Sequence, residues 1–420
     1  MSRVFVTGLG FICSIGNDEA TVVSNLRELK HGMELYPPLQ TPDSPVKVAA
    51  TVKDFDVESL DPEDWTFPSD YTFRRETLRS FSPHVMYAYC SMQQAIADAS
   101  LREKDISNQD TGLYTASAGS SRFLHSNLER MYKKGVMRCN PLSIVASIAG
   151  TLSFNLVSNF KIQGSSSGFA SACASSGHAI GFAFDEVRMD RQKRMFVVGA
   201  EDCNFDSIVP FCGMRALTLS DDPDTAARPF DKNRQGFVSS GGGVTIVLES
   251  EEEVDRRGVM PLGEMVGWGQ ASDGFNVAVS HPDGRGLRTA MQNSLQYSAL
   301  NPRQICYVNA HAPSTPIGDL SEVLAMKEVF LPDASPMISS TKALTGHGLS
   351  LSSILESAIS ILCLKHGFVP GSAHIQELMP EAESLNIIQS TLNETPKFIM
   401  SNSSGFGGAN TSLIFRSCQN

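Results

Sequence analysis

Cys173 stands inside SGFASACASSGHAIGFAFDEV, among alanines and serines, where loop composition gives way to a helical pattern. A thiol there feels the positive end of a helix dipole, which is expected to lower its pKa and favour the thiolate nucleophile. Small neighbours leave room for a bulky thioester. For any one cysteine, a packing role in the core is the commoner explanation. His311 follows the apolar, strand-like ICYVNA and opens the loop HAPSTPIGD, so a turn at the strand end is expected to expose its imidazole. A single histidine at a loop edge is more often structural than catalytic. The segment STKALTGHGLS puts Lys342 and His347 five residues apart, in a glycine-flanked turn that feeds a helix containing Glu356. A cation beside an imidazole holds it neutral, and a neutral imidazole donates one hydrogen bond. A solvated lysine and a helix-capping histidine explain that segment equally well when it is taken alone. The last element, SNSSGFGGANTSLIF, carries Gly405, Gly407 and Gly408, which suit backbone conformations or close approaches that side chains forbid. It is either a turn between two strands or a loop giving an oxyanion contact near Phe406, with the ring as a movable gate.

These residues need a scaffold, and the chain alternates apolar, β-branched stretches with helical patterns. RVFVTGLG, TGLYTASAGSS, RMFVVGAED and GVTIVLES read as strands, and VMYAYCSMQQAIADASL and SSGHAIGFAFDEVRM as helices. That alternation implies an α/β fold with buried strands. After the charged segment ESEEEVDRRG the cadence repeats. Both halves have a strand running into a small-residue loop (TASAGSS; NAHAPST) and a small-residue turn opening a helix (ACASSGHAIG; LTGHGLSLSS). The expected division is 1–252, carrying the cysteine, and 253–420, carrying the two histidines. Residues 34–80, Pro-rich and charge-mixed, read as loops and short helices.

Length and charge narrow the function. A chain of 420 residues is long enough for two domains or a fused pair with a sizeable core. Lys plus Arg number 34 against 45 Asp plus Glu, a net −11, so no attraction to nucleic acid or anionic lipid is expected without a local basic patch. Nine scattered cysteines without C-x-x-C spacing read as free thiols in a reducing cytoplasm, with no metal site. No apolar run reaches the roughly 18 residues of a membrane span, so no insertion is expected. TGLGFICSIG lacks the third glycine of a dinucleotide-binding turn.

Taken together, TGLGFICSIGND, SACASSGHAIG, RPFDKNRQGFVSSGGGVTIVLE, HAPSTPIGD, STKALTGH and SNSSGFGGAN resemble, in order and spacing, the motifs of the β-ketoacyl-ACP synthase family of the thiolase superfamily. The resemblance covers essentially the whole chain and is nearest the elongating synthase I and II classes. SSGGG and the late helix GLSLSSILESAISILCLKHGFVPGS lean toward synthase I. It implies a thiolase-like fold, two pseudo-duplicated α/β halves in a five-layer αβαβα arrangement. It also implies a 3-oxoacyl-ACP synthase of fatty acid biosynthesis, in which Cys173 takes an acyl group and His311 and His347 polarise a malonyl thioester and assist its decarboxylation. Lys342 and Glu356 would tune the histidines, and the backbone N–H groups of Cys173 and Phe406 would form the oxyanion hole. Thr315, Phe211, Gly405 and Gly407 would line the substrate path. No cofactor is implied; substrates arrive on the phosphopantetheine of acyl carrier protein, received by Arg74, Arg75, Arg79, Lys133, Lys134 and Arg138. A homodimer is implied, with a heterodimer with a related synthase subunit as the variant.

Two departures bear on specificity. Pro313 stands where the family has a hydroxyl residue in the His-Gly-Thr-Ser-Thr loop, removing a hydroxyl and a backbone donor from the pantetheine path. Ser404 replaces the aromatic residue usual before Gly-Phe-Gly-Gly. They motivate an alternative reading as a ketosynthase of a specialised polyene or polyketide pathway, with a chain-length partner. A non-catalytic chain-length subunit is disfavoured by the presence of Cys173. A cysteine hydrolase on another fold would leave Lys342, His347 and the glycine loop unexplained.

Overall fold

The computed structural model describes residues 2–331 and 333–418. Ten strands join in one hydrogen-bonded sheet: β1 (Val4–Cys13), β4 (Thr111–Ala116), β5 (Ser166–Phe169), β6 (Arg194–Glu201), β7 (Gly242–Ser250), β8 (Gly263–Ser272), β9 (Tyr307–Asn309), β10 (Met337–Ser339), β11 (Phe398–Gly405) and β12 (Ala409–Arg416). A separate hairpin pairs β2 (Met33–Leu35) with β3 (Val48–Ala50), a sheet not expected in the Pro-rich stretch. Otherwise that stretch holds 3-10 turns at Pro37–Leu39 and Pro62–Asp64 and a short helix, Arg75–Leu78.

The strand order is β10-β9-β11-β12-β8-β1-β7-β6-β4-β5. From β5 inward to β1 the pairings run parallel, parallel, antiparallel, antiparallel. From β10 inward to β8 they run in the same way. The two five-strand sets meet where Val4–Val6 of β1 pairs antiparallel with β8. Strands such as β1, β6 and β7 are buried along their full length. They are therefore continuously apolar rather than alternating, because both faces are covered.

Helices cover both sides of the sheet. Pro83–Asp98 packs on β1, β6 and β7, and Arg285–Ser298 packs on β8 and β12. Ser175–Arg188 and Ser352–His366 touch strands of both sets and each other, which makes them the middle layer of the αβαβα stack. Gly10 shows how closely strand and helix approach: a Cβ there would lie 1.9 Å from the Ser91 carbonyl oxygen. The glycines of TGLG thus serve helix–strand contact. Leu349–His366 is the one segment among the described residues long and apolar enough to cross a membrane, and 83% of it is buried inside the fold.

Candidate active site

The middle-layer helices bring the chemistry together. Cys173 lies just before the Ser175–Arg188 helix, after Ala172 in a left-handed turn (φ 52°). His347 lies just before the Ser352–His366 helix, held by its N–H on the Val238 carbonyl (2.7 Å) and by its carbonyl, which accepts from Ser240 N–H (3.1 Å). The helix starts are cross-tied. Ser353 Oγ donates to the Cys173 carbonyl (3.2 Å), and Ile354 N–H donates to Ser176 Oγ (3.0 Å). The result is a contact of 3.1 Å between Cys173 Sγ and His347 Nε2, with Nδ1 on Ser352 Oγ at 2.8 Å.

His311, at the end of β9, sets its ring 5.3 Å from that of His347, nearly perpendicular. It is buried rather than exposed by its turn. Its backbone is pinned on both sides: His311 N–H and Ala312 N–H donate to the Glu322 carboxylate (3.0 and 2.6 Å), and Lys342 Nζ donates to the His311 carbonyl (2.6 Å). Lys342 also pairs with Glu356, and both are almost wholly buried. The His311 Nδ1 atom is buried without a partner.

Burial sets the charge states. It holds both histidines well below their ordinary pKa, and the Lys342 charge adds to the effect. Both rings are neutral at pH 7. Burial raises the Glu356 carboxyl to about 7 against the opposing pull of Lys342. Cys173 departs from the sequence expectation: burial pushes its thiol up to about 12, and Lys342 pulls the other way. The helix start does not make a resting thiolate here because the sulfur is removed from water. The pair is a neutral thiol beside a neutral imidazole.

A cavity of about 500 Å³ opens onto Cys173, His311, His347, Thr315, Gly405 and Phe406. The Phe406 ring packs 6.3 Å from Phe211, which lies 5.8 Å from Phe237, whose ring in turn meets His347 at 5.1 Å. A side chain at Gly405 would put its Cβ 2.6 Å from the Ser171 carbonyl oxygen and 3.0 Å from the Cys173 nitrogen. Gly407 holds a positive φ of 76°. Pro313 and Ser404 both line the cavity.

Comparison with known proteins decides the family. The family described as Beta-ketoacyl synthase, N-terminal domain, matches residues 1–254, and Beta-ketoacyl synthase, C-terminal domain, matches residues 262–376. The chain belongs to the beta-ketoacyl synthase family. It is 36% identical to 3-oxoacyl-(acyl-carrier-protein) synthase 1 of Escherichia coli (strain K12) over 421 residues, 99% of each chain. It is 32% identical to 3-oxoacyl-(acyl-carrier-protein) synthase 2 of Synechocystis sp., over 99% of this chain and 98% of the relative. Among solved structures, a beta-ketoacyl synthase from Burkholderia phymatum STM815 superposes with a TM-score of 0.91 at 30% identity over all of both chains. The ishigamide ketosynthase/chain length factor gives 0.88 at 25% identity over 99% of each. The protein is thus an acyl-transferring condensing enzyme with the thiolase-like fold.

The synthase's candidate docking cations are less uniform than its buried site. Arg75 and Arg79 both face the Glu63 carboxylate, and Lys133 pairs with Glu129 one helical turn away. Arg74 and Lys134 are exposed and form no ion pair among the described residues, and Arg138 is exposed. Arg79 shares a surface groove with Arg130, which sequence reasoning passed over. Glu322, Ser352 and Phe237 were also missed. Each touches a site histidine through the fold; Phe237 and Ser352 fall inside quoted motifs without being singled out, and nothing in its own segment marks Glu322.

Proposed function

We propose that this synthase holds an acyl group as a thioester on Cys173 and condenses it with malonyl-ACP, giving a 3-oxoacyl-ACP in fatty acid biosynthesis. The observation that carries the reading is the contact between a neutral Cys173 thiol and a neutral His347, with a second neutral histidine 5.3 Å from the first, at the inner end of an open cavity.

Each step draws on that geometry. The Cys173 sulfur attacks the incoming acyl thioester while its proton passes by way of His347 to the departing carrier thiol. Malonyl-ACP then enters, and the N–H groups of His311 and His347 hydrogen-bond its thioester carbonyl. Loss of carbon dioxide leaves an enolate stabilised by those donors. The enolate carbon attacks the acyl carbonyl on Cys173, whose oxyanion rests on the N–H groups of Cys173 and Phe406; the bare Gly405 leaves that space open. Collapse expels the Cys173 sulfur as thiolate, which takes up one proton from solvent to restore the thiol. Neutral imidazoles suit this work because they donate without placing a full charge in a dry site. Lys342 and Glu356 position His311 and set the field on both rings, while Phe406 against Phe211 gates the cavity lined by Thr315 and Gly407.

Arg74, Arg75, Arg79, Lys133, Lys134 and Arg138 receive the acidic carrier, whose phosphopantetheine arm brings both substrates. The halves 1–252 and 253–420 represent one duplicated unit, a division supported by their matching strand pairings. A second copy of the chain covers the face at β5, the exposed strand at the end of the sheet. The enzyme works in the cytoplasm, in keeping with nine free cysteines.

A second reading is a ketosynthase of a polyene or polyketide pathway with a chain-length partner on that face. It is favoured by Pro313 and Ser404 in the cavity wall and by the likeness to the ishigamide ketosynthase/chain length factor. Incubation with malonyl-ACP and a panel of acyl-ACPs tests the first reading. Saturated acyl chains are expected to give 3-oxoacyl-ACP and carbon dioxide in equal amounts. Preference for polyenoyl chains would favour the second reading, and thioester hydrolysis without condensation would contradict both.

A further inference from the structure

One charged side chain at the cavity has no place in the mechanism above. Arg215 lines the same cavity as Cys173 and His347, and among the described residues it is the only lysine or arginine that does. Its guanidinium forms no ion pair or hydrogen bond among the described residues, and the residue is exposed. In a protein of net charge −11, a cation left unpaired at the mouth of the functional cavity is available to an anion from outside.

The backbone under it is fixed. Arg215 follows the 3-10 turn Val209–Met214 and adopts a left-handed conformation (φ 54°, ψ 34°), its N–H returning to the Cys212 carbonyl. The next residues are laced to the strand-like segment at Phe237: Phe237 N–H donates to the Ala216 carbonyl (2.9 Å) and Thr218 N–H to the Phe237 carbonyl (3.0 Å). The ring of Phe237 packs on His347. A residue with a Cβ in left-handed backbone costs free energy that glycine would avoid. Arg215, exposed where Cys173 and His347 are buried, stands on the solvent side of the cavity, whose lining also includes the Gln235 amide and the apolar Met214, Val279 and Ile317.

The geometry points to Arg215, with Gln235 beside it, as an anion-binding point at the cavity mouth that takes the phosphodiester of the carrier's phosphopantetheine arm. This rests on the condensing reading. A thioester that reacts at Cys173 is delivered by an arm whose other end carries a phosphate, and a planar guanidinium is the side chain best matched to phosphate oxygens. The malonyl carboxylate is the other anion the substrates bring, but it reacts among the buried histidines.

The test uses paired small substrates and Arg215→Gly, which removes the guanidinium while keeping the left-handed turn. Acyl loading is followed with acyl-phosphopantetheine and acyl-pantetheine, and elongation with malonyl-phosphopantetheine and malonyl-pantetheine. Wild type is expected to favour the phosphorylated member of both pairs in kcat/KM by roughly tenfold. Arg215→Gly is expected to bring that preference close to one in both pairs, with Arg215→Lys in between. An undiminished preference in Arg215→Gly, with both members slowed equally, would overturn the proposal and leave Arg215 a structural residue. A loss confined to malonyl substrates, with or without phosphate, would overturn it by assigning the guanidinium to the malonyl carboxylate. Wild type that loads from neither acyl thioester would instead remove the condensing reading, and the ligand of this site with it.

Discussion

The two strand sets place their working residues at matching positions and fill them differently. In the first set, the turn after β5 opens the Ser175–Arg188 helix and carries Cys173. In the second, the turn after β10 opens the Ser352–His366 helix and carries His347. The loops after β4 and β9 match in the same way, but the first holds only Ser117, Ala118, Gly119 and Ser120, while the second holds His311. A doubled scaffold thus makes one asymmetric site. Its two middle helices, with tied N-terminal ends, bring Cys173 from one strand set against His347 from the other. In the proposed mechanism the first half supplies the atom that forms the covalent bond, and the second supplies the two histidines, whose neutrality comes from burial with the Lys342 charge adding to it.

That division of labour is open to breakage at either side. Cys173→Ala should lower condensation by about 10⁴-fold or more in a product assay, since among the described residues no other thiol hydrogen-bonds to His311 or His347. His311→Ala and His347→Ala should lower malonyl decarboxylation by about 10²–10⁴-fold, read as carbon dioxide released; Cys173 still accepts acyl groups in both, more slowly in His347→Ala, which has lost the group that carries the thiol proton. Loss of loading in His311→Ala would merge the two roles that the proposed mechanism keeps apart.

The buried ion pair sharpens the contrast through stability. Lys342→Met strands a buried Glu356 carboxyl and frees the His311 carbonyl, and denaturant unfolding should reveal a loss of about 3–5 kcal/mol. Lys342→Met with Glu356→Leu should recover much of that stability without recovering decarboxylation. Acid has a smaller effect. Each histidine is held neutral by burial, so the unfolded chain binds a proton as pH falls through its ordinary pKa of about 6.5 and the folded chain does not. Stability from the neutral rings is full above that pH and is lost below it. Between pH 7.5 and 5.5, His311→Asn should lose about 1 kcal/mol less stability than wild type. The raised Glu356 acts in the opposite direction, and it is present in both proteins, so the difference isolates the ring.

The surface should respond least. Charge reversal at Arg74 or Lys134 should raise KM for the acyl carrier a few-fold at low salt and leave turnover intact, because exposed pairs are worth about 0.2–1 kcal/mol and are screened. Arg75, Arg79 and Lys133 should respond less still, since each already faces a carboxylate.

Much of this was legible in the chain. Cys173, His311, Lys342, His347 and the glycine loop announce themselves because each sits in a contiguous segment whose small residues and turns serve one local purpose. The repeated cadence of strands and turns foreshadowed the matching order of strand pairings. What escaped was tertiary. Glu322 reaches His311 from the Pro316–Phe330 helix, Ser352 is an ordinary serine until His347 faces it, and the β2–β3 hairpin forms in a stretch with no strand pattern. The thiol's charge state was misjudged for the same reason. A helix start is visible in sequence, whereas the burial that outweighs it is not.

The most direct test of a nucleophile from one half working against histidines from the other is intact-protein mass spectrometry of wild type, Cys173→Ala and His311→Ala. Each is incubated with acyl-ACP and then with malonyl-ACP. We expect a single acyl adduct on wild type that disappears as 3-oxoacyl-ACP forms, the same adduct persisting on His311→Ala, and none on Cys173→Ala. An adduct on Cys173→Ala, or an adduct on His311→Ala that is discharged to 3-oxoacyl-ACP as fast as on wild type, would contradict it.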